Sequence, residues 1–145
     1  MRFSEATVAV TCLLMAWASF SDLRTRTIPN ACSMGGAVLM FAASVAAGVD
    51  VIAFVGTVGG VAAVFGGVAL RRPESFGAGD AKLAVLVAAS MGPAAILAIL
   101  FGLGLALAWC VVLSASSAGR PLAGMAVPLA PFLAAGVAVT FALAG

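Results

Sequence analysis

The sequence contains no histidine and no tyrosine, and it carries very little charge. Five acidic and seven basic side chains occur in 145 residues, so charged residues make up 8% of the chain. An ordinary soluble domain has about 25%. Hydrophobic residues make up 64%, which predicts an integral membrane protein rather than a soluble domain. The formal net charge of +2 is too small and too scattered for nucleic-acid binding.

The absence of histidine leaves only three isolated cysteines, Cys12, Cys32 and Cys110, as soft metal ligands. No two of them form a C-x-x-C pair, whereas a zinc site needs clustered thiolate or imidazole ligands. We therefore expect no metal and no cofactor. We interpret the cysteines as small buried hydrophobic residues.

Apolar runs, separated by prolines, glycines and charges, divide the chain into helical segments of one domain, residues 1–145. A membrane span needs about 20 residues, which leaves little of the chain for a soluble domain. The fold class is therefore all-α: a polytopic membrane protein with about six transmembrane helices, the first of them retained rather than cleaved as a signal peptide. The predicted segments are 4–21, 31–48, 51–70, 80–91, 93–113 and 125–144.

Two local features refine this pattern. Asn30, after Pro29, is a good N-cap for the second segment. The third segment carries glycines that suit close contacts between helices. These glycines are Gly56, Gly59, Gly60, Gly66 and Gly67.

The fourth segment is short. At 1.5 Å per residue it spans about 18 Å, against a hydrocarbon core of about 30 Å, so one of its ends must lie inside the membrane profile. Non-helical backbone at that depth is tolerated only against protein or a watery cavity. We therefore expect the glycine-rich hinge before this helix, Gly77 to Asp80, to line such a cavity.

The distribution of basic residues predicts the orientation in the membrane. All but Arg2 lie in or beside alternate connections: Arg24 and Arg26, then Arg71, Arg72 and Lys82, then Arg120. The positive-inside rule places these connections in the cytoplasm and both termini outside. It also places Asp22, Asp80 and the region of Pro128 and Pro131 at one membrane face.

Asp22 and Asp80 are therefore expected at the same depth, where an acid beside a membrane segment indicates a functional site. Two carboxyl groups that approach closely share a proton. The ionised one can then activate water while the protonated one polarises a scissile carbonyl. Two alternatives stay open, since Asp80 can be only an N-cap and Asp22 can pair with Arg24 or Arg26. Asp50 is interpreted as a turn residue or cap.

Two motifs resemble those of the type IV prepilin peptidases, intramembrane-type aspartic proteases with a G-x-G-D signature. They are Asp22-x-Arg-x-Arg-x-Ile-Pro-Asn after the first helix and Gly77-x-Gly79-Asp80-x-Lys82-Leu83 before the fourth. The short form that serves Flp/Tad-type pili is the nearest match. A third element, Pro128 to Gly136, is similar to the family's P-F-G-P-F segment but departs from it at Leu129 and Ala130.

The resemblance implies a presenilin/prepilin-peptidase-like helix bundle in which Asp22 and Asp80 are the catalytic pair. It implies that the leader peptide of a prepilin or pseudopilin is cleaved after a glycine, ahead of its apolar helix, at the cytoplasmic face of the bacterial inner membrane. It also implies the bilayer and other pilus-assembly proteins as further partners. The longer members of the family carry a cysteine-rich insertion and also methylate the new N-terminus. This sequence lacks that insertion, so we expect no methyl transfer. Supporting or substrate-positioning residues would be Gly77, Gly79, Lys82, Arg24, Arg26, Pro29, Asn30, Pro128 and Pro131.

Several roles are left open at this point. Lys82 can hold the substrate backbone, tune Asp80 or reach lipid headgroups. Arg24 and Arg26 can fix the topology or contact the substrate. Two other protein classes also remain: a small transporter in which Asp22 and Asp80 carry protons or cations, and a non-catalytic scaffold of a pilus or secretion machine.

Overall fold

The computed structural model describes residues 3–72, 77–116 and 127–144, and these residues form helices with no strand among them. The predicted polar connection around Arg120, the start of the predicted sixth segment, and Arg2 lie outside the described residues. The α-helices are α1 (Glu5–Thr25), α2 (Gly36–Ala46), α3 (Val51–Arg71), α4 (Ala78–Met91), α5 (Ala95–Ser116) and α6 (Ala130–Ala144). A π-helical turn, Ala31–Gly35, precedes α2, and a 3₁₀ turn, Gly92–Ala94, joins α4 to α5.

Apolar composition and length make this a polytopic membrane protein, as the sequence predicted. Within the described residues, three stretches are long and apolar enough to cross a bilayer, Glu5–Thr25, Val51–Arg71 and Ala78–Ala115. Two shorter apolar helices, Ala31–Ala46 and Ala130–Ala144, accompany them. Large apolar side chains such as Ile52 and Leu70 point outward, where lipid can cover them.

The short helix α4 forms the centre of the bundle. Its 14 residues correspond to about 21 Å of rise. Leu83, Leu86 and Val87 are fully buried, and from Leu83 to Ala89 the helix is apolar on all sides, as expected of a helix enclosed by others. It begins at Ala78, with Gly77 as its N-cap residue, and not at Asp80 as predicted, because the glycine-rich hinge already adopts helical geometry.

The backbone breaks between α4 and α5 at Gly92, as the sequence predicted. Gly92 has φ of 55°, a left-handed conformation that glycine adopts without the Cβ penalty. A Cβ added there would lie 2.9 Å from Cδ2 of Phe54. Glycine therefore allows both the turn and the close approach of α3.

The glycines of α3 do not make the close helix contacts that we predicted. Among the described residues, a Cβ added at Gly56, Gly59 or Gly60 would meet nothing within 4 Å, and the same is true of Gly66 and Gly67. The buried side of α3 consists of Phe54 and Val61 instead. The prediction was wrong for this chain because a glycine pattern does not say which side of a helix faces its neighbours.

The close contact lies between α5 and α6. A Cβ added at Gly136 would collide with the carbonyl oxygen of Ala98 and lie 2.7 Å from the amide nitrogen of Gly102. A Cβ added at Gly102 would lie 2.9 Å from Cα of Leu133. The two backbones therefore touch, which fixes α6 and the position of its N-terminus.

Candidate active site

The last turn of α1 carries Asp22, which is only 8% exposed. The helix ends at Thr25 and is capped by Arg26, a non-glycine residue in the left-handed conformation whose amide donates to the carbonyl oxygen of Asp22 at 2.9 Å. Ser21 supports the following turn, because its Oγ donates to the carbonyl oxygen of Thr27 at 2.7 Å. These bonds place Asp22 at the end of the bundle where the connection to α2 begins.

The backbone of α6 holds the carboxyl group of Asp22. Its Oδ2 accepts a hydrogen bond of 3.2 Å from the amide of Ala130, the first residue of α6. The first amides of a helix have no partner within the helix, and the positive end of the helix dipole favours an anion there. The N-terminus of α6 is thereby tied to the end of α1.

The first turn of α4 carries Asp80 in the third helical position. Its carboxylate accepts a hydrogen bond from the amide of Gly77, the N-cap residue, as the third residue of a capping box does. Asp80 therefore accepts a hydrogen bond from an amide at the start of the helix, as the cap interpretation expects. It does so from the third helical position, however, and not as the N-cap residue. A Cβ added at Gly77 would lie 3.4 Å from Oδ2 of Asp80, so the carboxylate rests against this glycine.

Asp22 and Asp80 share one cavity of about 280 Å³, called here the aspartate cavity. The two carboxylates lie close enough to interact electrostatically. The hinge lines the cavity, as the shortness of α4 predicted. The lining residues are Asp22, Arg26, Thr27, Ile28, Gly77, Gly79, Asp80 and Lys82.

A second, smaller cavity of about 150 Å³ continues from the first and brings the start of α6 to the two aspartates. Val127, Pro128 and Leu129 line it together with Asp22 and Asp80. Pro131 lies in the first turn of α6, where its missing amide hydrogen removes no helical bond. The third element singled out in the sequence thus lies beside the carboxyl pair.

The two arginines after Asp22 differ in position. Arg26 lines both cavities. The guanidinium of Arg24 lies 5.9 Å from the centroid of the Phe20 ring, and Arg24 lines neither cavity. Within the described residues neither arginine forms an ion pair with Asp22, so the structure gives no support to the pairing alternative.

Asn30 and Lys82 meet beside the aspartate cavity, which Lys82 lines. Nζ of Lys82 donates to Oδ1 of Asn30 at 2.8 Å. Asn30 precedes the π-helical turn, but its side chain makes no cap hydrogen bond, contrary to our prediction. Pro29 contributes its carbonyl oxygen, which accepts from the amides of Cys32 and Ser33. Gly79 packs against Ile28, since a Cβ added there would lie 3.6 Å from Cδ1 of Ile28.

The remaining polar candidates lie elsewhere or are isolated. Asp50 caps α3, accepting from the amides of Ile52 and Ala53 at 3.0 and 3.2 Å, at the end of the bundle opposite Asp22. Of the cysteines, Cys32 is buried as predicted, whereas Cys12 is exposed on the apolar surface of α1. No three His, Cys, Asp or Glu side chains in the described ranges group to hold a metal ion.

Sequence reasoning missed two contacts of this site. The amide of Ala130 could not be found from residue type, because every residue but proline has such a donor. The bond between Asn30 and Lys82 joins two motif residues, so the motifs themselves were its only signal.

The fold and the site define a polytopic membrane protein with a pair of carboxyl groups at one end of its helix bundle. The chain belongs to the type IV leader peptidase family, whose model matches residues 9–144. It is therefore a membrane protein of a peptidase family. Comparison with curated proteins and with solved structures gives no match.

Proposed function

We propose that the chain is an aspartic endopeptidase that removes the leader peptide of Flp-like type IV prepilins or pseudopilins at the cytoplasmic face of the inner membrane. Asp22 and Asp80 are its catalytic pair. The observation that carries this proposal is that both carboxyl groups line the aspartate cavity although they come from different helices.

The chemistry needs one ionised and one protonated carboxyl group. The ionised aspartate takes a proton from water, whose oxygen attacks the scissile carbonyl carbon while the protonated aspartate donates its proton to the carbonyl oxygen. When the tetrahedral intermediate collapses, the C–N bond breaks and the amine leaves with a proton from the aspartate that had acted as base. The other aspartate takes back a hydroxyl proton from the intermediate, so the pair is again singly protonated. Two carboxyl groups held close together favour the singly protonated pair that this cycle requires, because like charges disfavour a second ionisation.

The surroundings of the pair suit this cycle because each carboxyl group is held by backbone. Ala130 donates its amide to Asp22, and Gly77 donates its amide to Asp80. Fixed donors of this kind orient the carboxyl groups before the substrate arrives. The cavity lies at the helix ends, where a peptide bond just ahead of an apolar substrate helix would reach the membrane surface.

The orientation in the membrane rests on the charges near this end of the bundle. Arg24, Arg26 and Lys82 lie at the end of the bundle that holds the aspartates, and Arg71 and Arg72 end α3. By the positive-inside rule this end faces the cytoplasm. Leader cleavage would then precede export of the mature pilin segment.

A transporter is the weaker alternative. It needs a polar route between the two membrane faces, and the opposite cavity of about 300 Å³ contains Asp50. Between that cavity and the aspartates, however, α4 contributes Leu83, Leu86 and Val87, which are fully buried and apolar. This packing favours a site that opens at one face.

The direct test is cleavage of candidate prepilins by the purified protein in lipid nanodiscs, with sequencing of the product's N-terminus. We expect a new N-terminus after a glycine, ahead of the apolar helix, and Asp50→Asn protein should make it at the wild-type rate. The proposal fails if folded wild-type protein leaves every Flp-like prepilin of its own genome uncut.

A further inference from the structure

Lys82 is the only lysine in the chain, and it lines the aspartate cavity. Its Nζ donates to Oδ1 of Asn30, which lies 52 positions earlier in the sequence. An ammonium group has three donors, and Asn30 takes one of them. No carboxylate within the described residues forms an ion pair with Lys82. With respect to the described residues, two of its donors therefore remain for another group in the cavity.

The partner of Lys82 is a neutral amide, so the hydrogen bond does not cancel the positive charge of the ammonium group. An aspartate at position 30 would hold the ammonium equally well but would cancel its charge. The amide oxygen of Asn30 fixes the flexible four-carbon side chain and leaves the positive charge for another ligand. Fixing a side chain before binding reduces the entropy that is lost when the ligand arrives.

The position of Asn30 is itself well anchored. The carbonyl oxygen of Pro29 accepts from the amides of Cys32 and Ser33 at 3.0 and 3.1 Å, which starts the π-helical turn. Cys32, which is fully buried, donates from its Sγ to the carbonyl oxygen of Leu14 at 3.2 Å and so joins this turn to α1. Single π-helical turns are frequent at functional sites. Asn30 directly precedes this turn, and its side chain accepts a hydrogen bond from Lys82 and does not cap the turn.

We propose that Lys82 binds the substrate, donating to a main-chain carbonyl of the extended segment next to the scissile bond, and that Asn30 is the residue that positions it. This inference rests on the proposed peptidase function. A peptide must be extended to be cleaved, so its carbonyl groups lack helical partners. At the edge of the membrane, where water is scarce, such carbonyls need donors from the protein.

Steady-state kinetics on a prepilin that the wild-type protein cleaves test this assignment. Lys82→Met, which keeps the length of the side chain, should raise KM about tenfold or more, as loss of a hydrogen bond from a charged donor does. The kcat should change by less than about threefold, because uniform binding is lost and not the chemistry. Asn30→Ala should raise KM in the same direction by a smaller factor and should add nothing in the Lys82→Met background.

Asn30→Asp separates substrate binding from a purely structural contact. This variant keeps the acceptor for Lys82, so its thermal unfolding temperature should match the wild-type value. Its KM should nevertheless rise, because the added carboxylate neutralises the ammonium. Arg72→Gln, at the exposed end of α3 and outside the cavity, is the matched control for loss of a cation and should leave KM unchanged. A wild-type KM for Asn30→Asp or Lys82→Met would overturn the proposal.

Chemical labelling gives a second readout, since Lys82 carries the only side-chain amine. Acylation with an amine-reactive ester, followed by mass spectrometry, should modify Lys82 in inactive Asp80→Asn protein and should slow at least severalfold when the prepilin is added. Anionic lipid without prepilin should give no protection. Equal labelling with and without the prepilin, or protection by lipid alone, would refute substrate binding by Lys82. If instead the wild-type protein cleaves no prepilin, the peptidase function itself fails.

Discussion

Oδ2 of Asp22 accepts a hydrogen bond of 3.2 Å from the amide of Ala130, which lies 108 positions later in the chain. This bond joins the end of α1 to the beginning of α6. The position of one candidate catalytic carboxyl group therefore depends on where α6 is packed. That packing depends in turn on the contact between Gly136 and Gly102.

Gly136→Ala should lower both stability and activity. The new methyl group would collide with the carbonyl oxygen of Ala98, so α6 must shift, and overpacking of this kind costs about 1–3 kcal/mol. The shift should also move the amide of Ala130 away from Asp22. Thermal unfolding in nanodiscs and the rate of leader cleavage measure the two effects.

Gly60→Ala on α3 is the matched control, because a Cβ there meets no atom of the described residues within 4 Å. This change should leave activity unchanged and should stabilise α3 by up to about 1 kcal/mol, the difference in helix propensity between glycine and alanine. If Gly136→Ala behaves like Gly60→Ala, the backbone contact does not control the site.

The two arginines that follow Asp22 should respond differently to substitution. Arg26→Gly removes a side chain from the aspartate cavity while glycine still adopts the left-handed conformation, so catalytic efficiency should fall about tenfold without loss of folding. Arg24→Gln should cleave at nearly the wild-type rate, because Arg24 lies over Phe20 and outside both cavities. Equal cleavage rates for the two variants would show that the position of Arg26 in the aspartate cavity does not matter for catalysis.

Reporter fusions should place the two ends of the bundle on opposite sides of the membrane. Fusions at Asp50, at Gly92 and at the C-terminus should read outside, and a fusion after Arg72 should read inside. The reason is that the described basic residues collect at the end of the bundle that holds the aspartates. A C-terminal fusion that reads inside would contradict the six-span topology.

Cleavage should need neither a metal ion nor a methyl donor. We expect purified protein treated with a chelator to keep its full rate, because both proton transfers are assigned to carboxyl groups. The mature product should stay unmethylated when S-adenosylmethionine is supplied, as mass spectrometry of the product can show. Loss of activity with the chelator, restored by one added metal, would contradict the acid pair as the sole catalytic groups.

Much of the fold could be predicted because it follows from apolar run length and from the residues that interrupt helices. Pro29, Gly92 and Pro93 mark breaks that the structure also has. The meeting of Asp22 with Asp80 could be anticipated from the side of the membrane on which each connection falls. A hinge that lines a cavity followed from the shortness of α4.

Other features depend on contacts that the local sequence does not encode. The glycines of α3, α5 and α6 look alike in the sequence, yet within the described parts of the chain only Gly102 and Gly136 of these helices touch another backbone. Asparagine is a common N-cap residue, but in the folded chain the side chain of Asn30 accepts a hydrogen bond from Lys82 instead. The amide of Ala130 could not be singled out before the position of α6 was known.

The central claim is that Asp22 and Asp80 act together as the catalytic pair, and the most direct measurement is the rate of leader cleavage by Asp80→Asn protein. Asparagine keeps an oxygen that can accept from Gly77, so the helix start and the thermal unfolding temperature should be preserved. It cannot exchange a carboxyl proton, so the rate should fall by about 10²-fold or more, and adding Asp22→Asn should lower it no further. A folded Asp80→Asn protein that cleaves prepilin at the wild-type rate would contradict the account.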